Sequence, residues 1–169
     1  MYTIQKAFII CAVLLISAIS GNCQSASANI SATIVTPITI AKNQDISFGN
    51  FSAPDRIGGH VILTPAGTRY SSVTSIIKGN SGVVTAADFT VMGNIGLTFG
   101  IQLPTSILLK HSGGLETMTA AAFTSTPSED GFLAGGIQHI QIGATLTVTP
   151  GQLPGMYTSS EFEVVVNYN

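Results

Sequence analysis

The strongest constraint on the fold is the alternation of apolar and polar side chains, which is most regular over residues 161–169 (EFEVVVNYN). Side chains of a β-strand point to opposite sides in turn, so this period of two predicts a strand with one buried face. The predicted buried face consists of Phe162, Val164, Val166 and Tyr168. Glu161 and Glu163 fall on the opposite face, which places both carboxylates in solvent.

A second alternating stretch covers residues 30–40 (ISATIVTPITI). Its apolar residues of one parity are Ile30, Ala32, Ile34, Ile38 and Ile40. Pro37 has the other parity, and proline has no N–H to donate to a strand ladder. We therefore expect this strand to lie at the edge of a sheet or to break near residue 37.

Turn-forming residues divide the rest of the chain into short segments. Clusters of Gly, Pro, Asn and Asp recur about every 8–12 residues, the spacing typical of a β-sandwich or barrel. Charged residues make up only 8% of the chain, which leaves little material for the solvent-facing side of helices. The sequence therefore predicts an all-β domain, although residues 120–122 fit a helical turn as well as a strand.

The segment 137–148 is the longest predicted strand. It alternates through Ile137, Ile140 and Ile142 and then through Leu146 and Val148, with a change of phase near Gly143. A β-bulge at that glycine would explain the change.

The amino terminus has the pattern of a secretory signal peptide. Lys6 precedes the apolar run 7–19 (AFIICAVLLISAI), and signal peptidase has two possible sites, after Ala28 or after Cys23. We favour Ala28, which gives a signal peptide of residues 1–28 and a single exported domain of residues 29–169. Either cut removes both cysteines, so the exported chain has no disulfide to stabilise it. No later apolar run is long enough to span a bilayer.

Residues that carry catalytic or metal chemistry are present but not in the required patterns. His60, His111 and His139 stand in different predicted elements, without Cys or Asp at ligand spacing. No serine lies in a nucleophile turn, and the glycine pairs lack a phosphate-binding motif. The formal net charge of −2 gives no basic surface for nucleic acid. We expect no enzyme, no cofactor and no bound metal.

The carboxyl-terminal stretch resembles the end of pilins of the chaperone–usher class. These end in a strand of alternating apolar residues with a penultimate tyrosine and an upstream glycine, which Phe162, Val164, Val166, Tyr168 and Gly155 match. The resemblance implies an immunoglobulin-like antiparallel sandwich with an incomplete sheet edge. A periplasmic chaperone, and then the amino-terminal segment of another subunit, would supply the missing strand.

The whole exported chain also resembles a family of exported bacterial proteins known as domain of unknown function 4402. The matching segments, in order, are TPITIAKNQDISFGNF, GGHVILTPAGTR, AADFTVMG, LETMTAAAF, IQIGATLTV and GQLPGMYTSSEFEVVVNYN. The chain departs from the family at Ser159 and Ser160, near the place where a glycine is frequent. The resemblance implies export and a pilin-like character.

Two functions follow from these resemblances. In the first, the protein is a subunit of a surface fibre, transported through the periplasm by a chaperone and an outer-membrane usher. Phe162, Val164, Val166 and Tyr168 would line an acceptor groove, and residues 30–40 would be the donated strand, because a cut after Ala28 leaves almost nothing before them. In the second, residues 30–40 complete the sandwich of their own domain, which is a monomeric adhesin or ligand-binding module. Few aromatic platforms for sugars are present, because the chain has no Trp.

Overall fold

The computed structural model describes residues 24–77 and 82–169. The chain divides into two units after Ile34. Residues 24–34, the described part of the first unit, contain no strand, whereas residues 35–169 form a β-domain without helices in its described part. Residues 1–23 of the predicted signal peptide lie outside the described residues.

The described residues of the β-domain form short antiparallel strands. Their bounds are β1 Thr39–Gln44, β2 Ser47–Phe48, β3 Gly59–Leu63, β4 Arg69–Ser71, β5 Val84–Thr85, β6 Ala87–Met92, β7 Thr98–Gln102, β8 Ser106–His111, β9 Thr117–Thr126, β10 Asp130–Phe132, β11 Ile137–Val148, β12 Tyr157–Thr158 and β13 Val165–Tyr168. Every strand pair is antiparallel. The prediction of an all-β antiparallel domain is therefore confirmed, and residues 120–122 are strand.

The largest sheet has eight strands and is built around β11. Its order is β1-β6-β11-β9-β8-β12, and β3 and β4 extend from the second half of β11. Along one edge of β11, residues 137–142 pair with β6 and residues 144–148 pair with β3, while β9 runs along the other edge. Because two strands diverge from one edge, the sheet curls into a half-barrel.

The change of phase predicted within residues 137–148 is wrong, since a register irregularity is present near Gly143 but its extra residue lies in the neighbouring strand. The register of β11 and β9 shifts between Gly143 and Thr145, where β9 has one additional residue and Ala122 has a φ of 48°. β11 itself keeps one parity, because its fully buried side chains run from Ile140 to Val148 at every second position. The extra residue in β9 changes which of its side chains point inward. Before it, Met118 and Ala120 are buried, and after it Phe123 is on the inward side.

Gly143 is required for a different reason, which is the close passage of the chain that leaves β3. A Cβ at Gly143 would overlap the carbonyl oxygen of Leu63 and press on the backbone of Thr64. Backbone atoms held by a strand ladder cannot move aside as a flexible side chain would. Only glycine fits at this position.

Two smaller sheets complete the domain. β10, β7 and β13 form one in that order, and β2 pairs with β5 in the other. The core has two clusters of buried side chains. One cluster joins β3, β9 and the second half of β11, and the other joins β6, β7, β13 and the first half of β11. Ile46 and Phe123 pack against both clusters.

The two strands predicted at the termini are shorter than their sequence patterns. The strand predicted for residues 30–40 begins only at Thr39, because Pro37 cannot donate to the ladder with β6. The strand predicted for residues 161–169 begins only at Val165. Residues 159–164 instead carry the chain from β12 in the large sheet to β13 in the three-stranded sheet.

Candidate functional site

A cavity of about 1110 Å³ lies over the inner face of the large sheet. Its floor is formed by four adjacent strands, β6, β11, β9 and β8. The floor side chains are mainly apolar and include Phe89, Leu146, Met118, Ala120, Phe123, Ile107 and Leu109. The alternation of these strands turns their apolar residues to this side. The result is an apolar groove, and it is the candidate functional site.

Two irregular segments form the walls of the apolar groove. The first wall, residues 44–51, contains β2 and is held by Arg69, whose Nη1 donates to the carbonyl oxygens of Phe48 and Asn50 at 2.5 and 2.9 Å. The second wall, residues 155–162, is held by the pairing of β12 with β8. In this wall the ring of Tyr157 packs edge-on against His111, with 4.9 Å between ring centroids.

Charged side chains stand at the rim of the apolar groove. Lys42 and Asp45 form an exposed ion pair with 2.8 Å between Nζ and Oδ1. The pKa of Lys42 is raised above its ordinary value, chiefly because its ammonium donates a hydrogen bond to Asp45 and lies beside that negative charge. Glu161, on the opposite wall, adds a smaller effect in the same direction. The rim is therefore polar and the floor apolar, as in many binding clefts.

The four predicted groove residues of the carboxyl-terminal strand have different environments. Phe162 lines the apolar groove and contacts Phe89 and Phe123, with centroid distances of 6.3 and 5.7 Å. Val164 and Val166 are buried in the core between the sheets, and half-buried Tyr168 packs against the same cluster. Phe162 is thus the member of this set that lines the groove.

β13 nevertheless has a backbone edge that is free to pair. It hydrogen-bonds to β7 on one side and stands last in its sheet. No strand among the described residues pairs with its other side. An unpaired edge of this kind presents N–H and C=O groups to any extended chain that reaches it.

The predicted donor residues divide at Pro37. Ile38 and Ile40 pack against the core of their own domain, and Ile40 belongs to β1, which pairs with β6. Ile30, Ala32 and Ile34 lie in the other unit, outside any strand. Ile38 and Ile40 of the predicted donor strand therefore already pack in the core of their own domain.

The histidines lie on separate strands, as expected. His60 lies in β3, His111 in β8 and His139 in β11, where His139 Nδ1 is 3.4 Å from a carboxylate oxygen of Asp88. Within residues 24–77 and 82–169, no three His, Cys, Asp or Glu side chains are placed to hold a metal ion. No helix in these ranges is long and apolar enough to cross a membrane.

Comparison with known families assigns most of the chain to one of them. Residues 38–168 match the profile described as Domain of unknown function (DUF4402). The chain belongs to this family. The match begins at Ile38, so the β-domain from β1 to β13 is the DUF4402 domain and residues 24–37 precede it. A search of curated proteins found no match to the chain.

Sequence reasoning did not find the floor of the groove. The sequence shows by alternation that Ile107 and Leu109 share one face of a strand. It does not show which other segments lie over that face. The cavity exists because β6, β8, β9 and β11 become neighbours through long-range pairing.

Proposed function

We propose that this DUF4402 protein is an exported structural subunit of a surface fibre, joined to other copies by strand donation. The observation that carries the proposal is the apolar groove, a cavity of about 1110 Å³ that four strands line with apolar side chains between two walls. A concave cavity with a mainly apolar lining and a polar rim is the usual form of a binding site.

An extended, uncharged segment of another copy fits the chemistry of the groove. Residues 24–41 contain no charged side chain, and Ile30, Ala32 and Ile34 share one face of an extended chain. Such a segment can place its apolar side chains in the groove and add backbone hydrogen bonds to the domain that accepts it, which is the β-augmentation mode of peptide recognition.

The contribution of side chains to this contact is modest. Burial of Ile30 and Ile34 contributes roughly 3–6 kcal/mol in total, at about 1.5–3 kcal/mol for each side chain. The loss of translational freedom costs at least about 4 kcal/mol. Backbone hydrogen bonds to the accepting domain must therefore supply much of the net affinity, at about 0.5–1.5 kcal/mol each.

The finer features of the proposal rest on resemblance. The carboxyl-terminal pattern of pilins supports a pilin-like sandwich and delivery by a periplasmic chaperone and an outer-membrane usher. The amino-terminal pattern supports export, passage through the periplasm and a final position at the cell surface. A non-enzymatic role agrees with the separate positions of the three histidines.

A substitution in the floor tests the proposal. Ala120 is buried in the floor, so Ala120→Phe places an aromatic ring in the space that a donated strand would occupy. Ala41→Phe is the matched control, because Ala41 is exposed on β1. We expect the processed chain and Ala41→Phe to form oligomers in light scattering and Ala120→Phe to remain monomeric. Oligomers of unchanged size in Ala120→Phe would contradict strand donation into this groove.

The groove itself also supports a second candidate, a monomeric module that binds an apolar ligand. This candidate predicts that the processed chain is monomeric at every concentration and enhances the fluorescence of an apolar dye. Ala120→Phe would abolish the enhancement. Strand donation predicts instead that a peptide of residues 29–35 displaces the dye.

A further inference from the structure

The hydroxyl group of Tyr168 joins three separate parts of the β-domain. It accepts a hydrogen bond from the backbone N–H of Asn94, with 2.6 Å between the heavy atoms. It donates to the carbonyl oxygen of Thr36 at 2.7 Å. Both bonds are short and well within hydrogen-bonding range, so the hydroxyl is satisfied as donor and acceptor.

The surroundings of Tyr168 fix its position. The ring packs against the buried cluster that contains Val164 and Val166, and Ile38 and Ile40 pack against the same cluster. Gly93 leaves room for the hydroxyl, because a Cβ at that residue would overlap it. The hydroxyl is therefore held by the core on one side and by the turn at residues 93–94 on the other.

Thr36 is the place where the amino-terminal segment joins the domain. The next residue, Pro37, has no N–H, and the ladder of β1 with β6 starts at Thr39. The division of the chain into two units falls just before this point, between Ile34 and Val35. The side chain of Tyr168 thus binds the carbonyl of Thr36, which precedes Thr39, the first residue of the β1–β6 ladder.

We propose that Tyr168 anchors the root of the amino-terminal segment and so decides which residues can be donated to another copy. This inference rests on the proposed function and limits the donated strand to the residues before Thr36. Residues up to Val35 are free to leave, with Ile30, Ala32 and Ile34 as their apolar face. Ile38 and Ile40 remain in their own core, because the bond to Thr36 holds the chain before them.

The length that remains is sufficient for donation. If signal peptidase cuts after Ala28, residues 29–35 remain and span about 23 Å when extended, at about 3.3 Å per residue. β8, a strand of the groove floor with 6 residues, spans about 20 Å on the same basis. The anchored segment is therefore about as long as this strand of the groove floor.

The substitution Tyr168→Phe tests the anchor, because it retains the ring and removes both hydrogen bonds. Tyr70→Phe is the matched control, since Tyr70 is 53% exposed and its hydroxyl makes no hydrogen bond within residues 24–77 and 82–169. By hydrogen exchange on the processed chain, we expect the amide of Asn94 to exchange about 2- to 10-fold faster in Tyr168→Phe and to exchange at an unchanged rate in Tyr70→Phe. Equal exchange rates of the Asn94 amide in the two variants would contradict the proposed anchoring role of Tyr168.

Limited proteolysis tests the boundary on the same proteins. Thermolysin, which cuts before large apolar residues, should trim the unmodified chain no further than Val35. In Tyr168→Phe it should also cut before Ile38 or Ile40. Cuts before Ile38 in the unmodified chain, as frequent as in Tyr168→Phe, would overturn the proposal.

Both readouts report on the bond between Tyr168 and Thr36 within one chain and not on the mass of an assembly, so they separate this inference from the proposed function. If Tyr168→Phe changes exchange and proteolysis as expected but no oligomers form, strand donation is wrong, whereas the anchoring of Thr36 by Tyr168 is supported. If oligomers form and Tyr168→Phe changes neither exchange nor proteolysis, the fibre function stands and the anchor fails.

Discussion

Replacement of Phe162 by alanine tests how the carboxyl-terminal crossing segment is held. Phe162 is half-buried and contacts two other aromatic rings, Phe89 and Phe123. Half of the burial energy of a phenylalanine is about 1 kcal/mol, and each aromatic pair adds about 0.5–1.5 kcal/mol. We therefore expect Phe162→Ala to lower the free energy of unfolding by about 2–4 kcal/mol.

Urea unfolding of the processed chain at low concentration measures this loss directly. Phe132→Ala is the control, because Phe132 is 51% exposed and has no aromatic partner among the described residues. We expect the control to lose less than about 1 kcal/mol, since a residue this exposed buries little apolar area. An equal loss in the two variants would refute the reasoning, because it would mean that the aromatic contacts of Phe162 add nothing to stability.

Three further predictions concern single sites. Gly143→Ala forces a Cβ against the carbonyl of Leu63, so we expect a loss of more than about 2 kcal/mol in the same urea assay. Arg69→Met removes both hydrogen bonds to the first wall, so the amides of β2 should exchange faster while those of β11 do not change. The pair of Lys42 with Asp45 raises the pKa of the lysine, so its stabilising effect is complete below the ordinary value of 10.5 and is lost only as pH rises above it. Because both side chains are exposed, Lys42→Ala should leave the melting temperature unchanged at neutral pH.

Alternation was sufficient to locate the longest strand and the last strand, because its signal is local. Alternation placed Val164 and Val166 on the buried face of the last strand, and both are buried. The pattern of residues 30–40 was misleading because alternation does not report the lack of a donor at Pro37, although the proline itself indicated a break. At Gly143 the sequence located the irregularity but not the strand that carries the extra residue, because that depends on the neighbour in the sheet.

The groove could not be predicted because it depends on pairing between distant segments. β1 pairs with β6, and β13 pairs with β7, across long stretches of chain. Alternation alone does not distinguish Phe162, which lines the groove, from Val166, which is covered by the core. The role of Tyr168 was also hidden, since its partners at Thr36 and Asn94 are far away in the sequence.

The most direct test of strand donation is the mass distribution of the processed chain by gel filtration with light scattering. The same measurement is made on a chain that lacks residues 29–35, with and without a peptide of those residues. We predict a ladder of oligomers for the processed chain and monomers for the shortened chain, which should bind the peptide with one-to-one stoichiometry. A processed chain that stays monomeric at all concentrations, with a shortened chain that ignores the peptide, would contradict the proposed function.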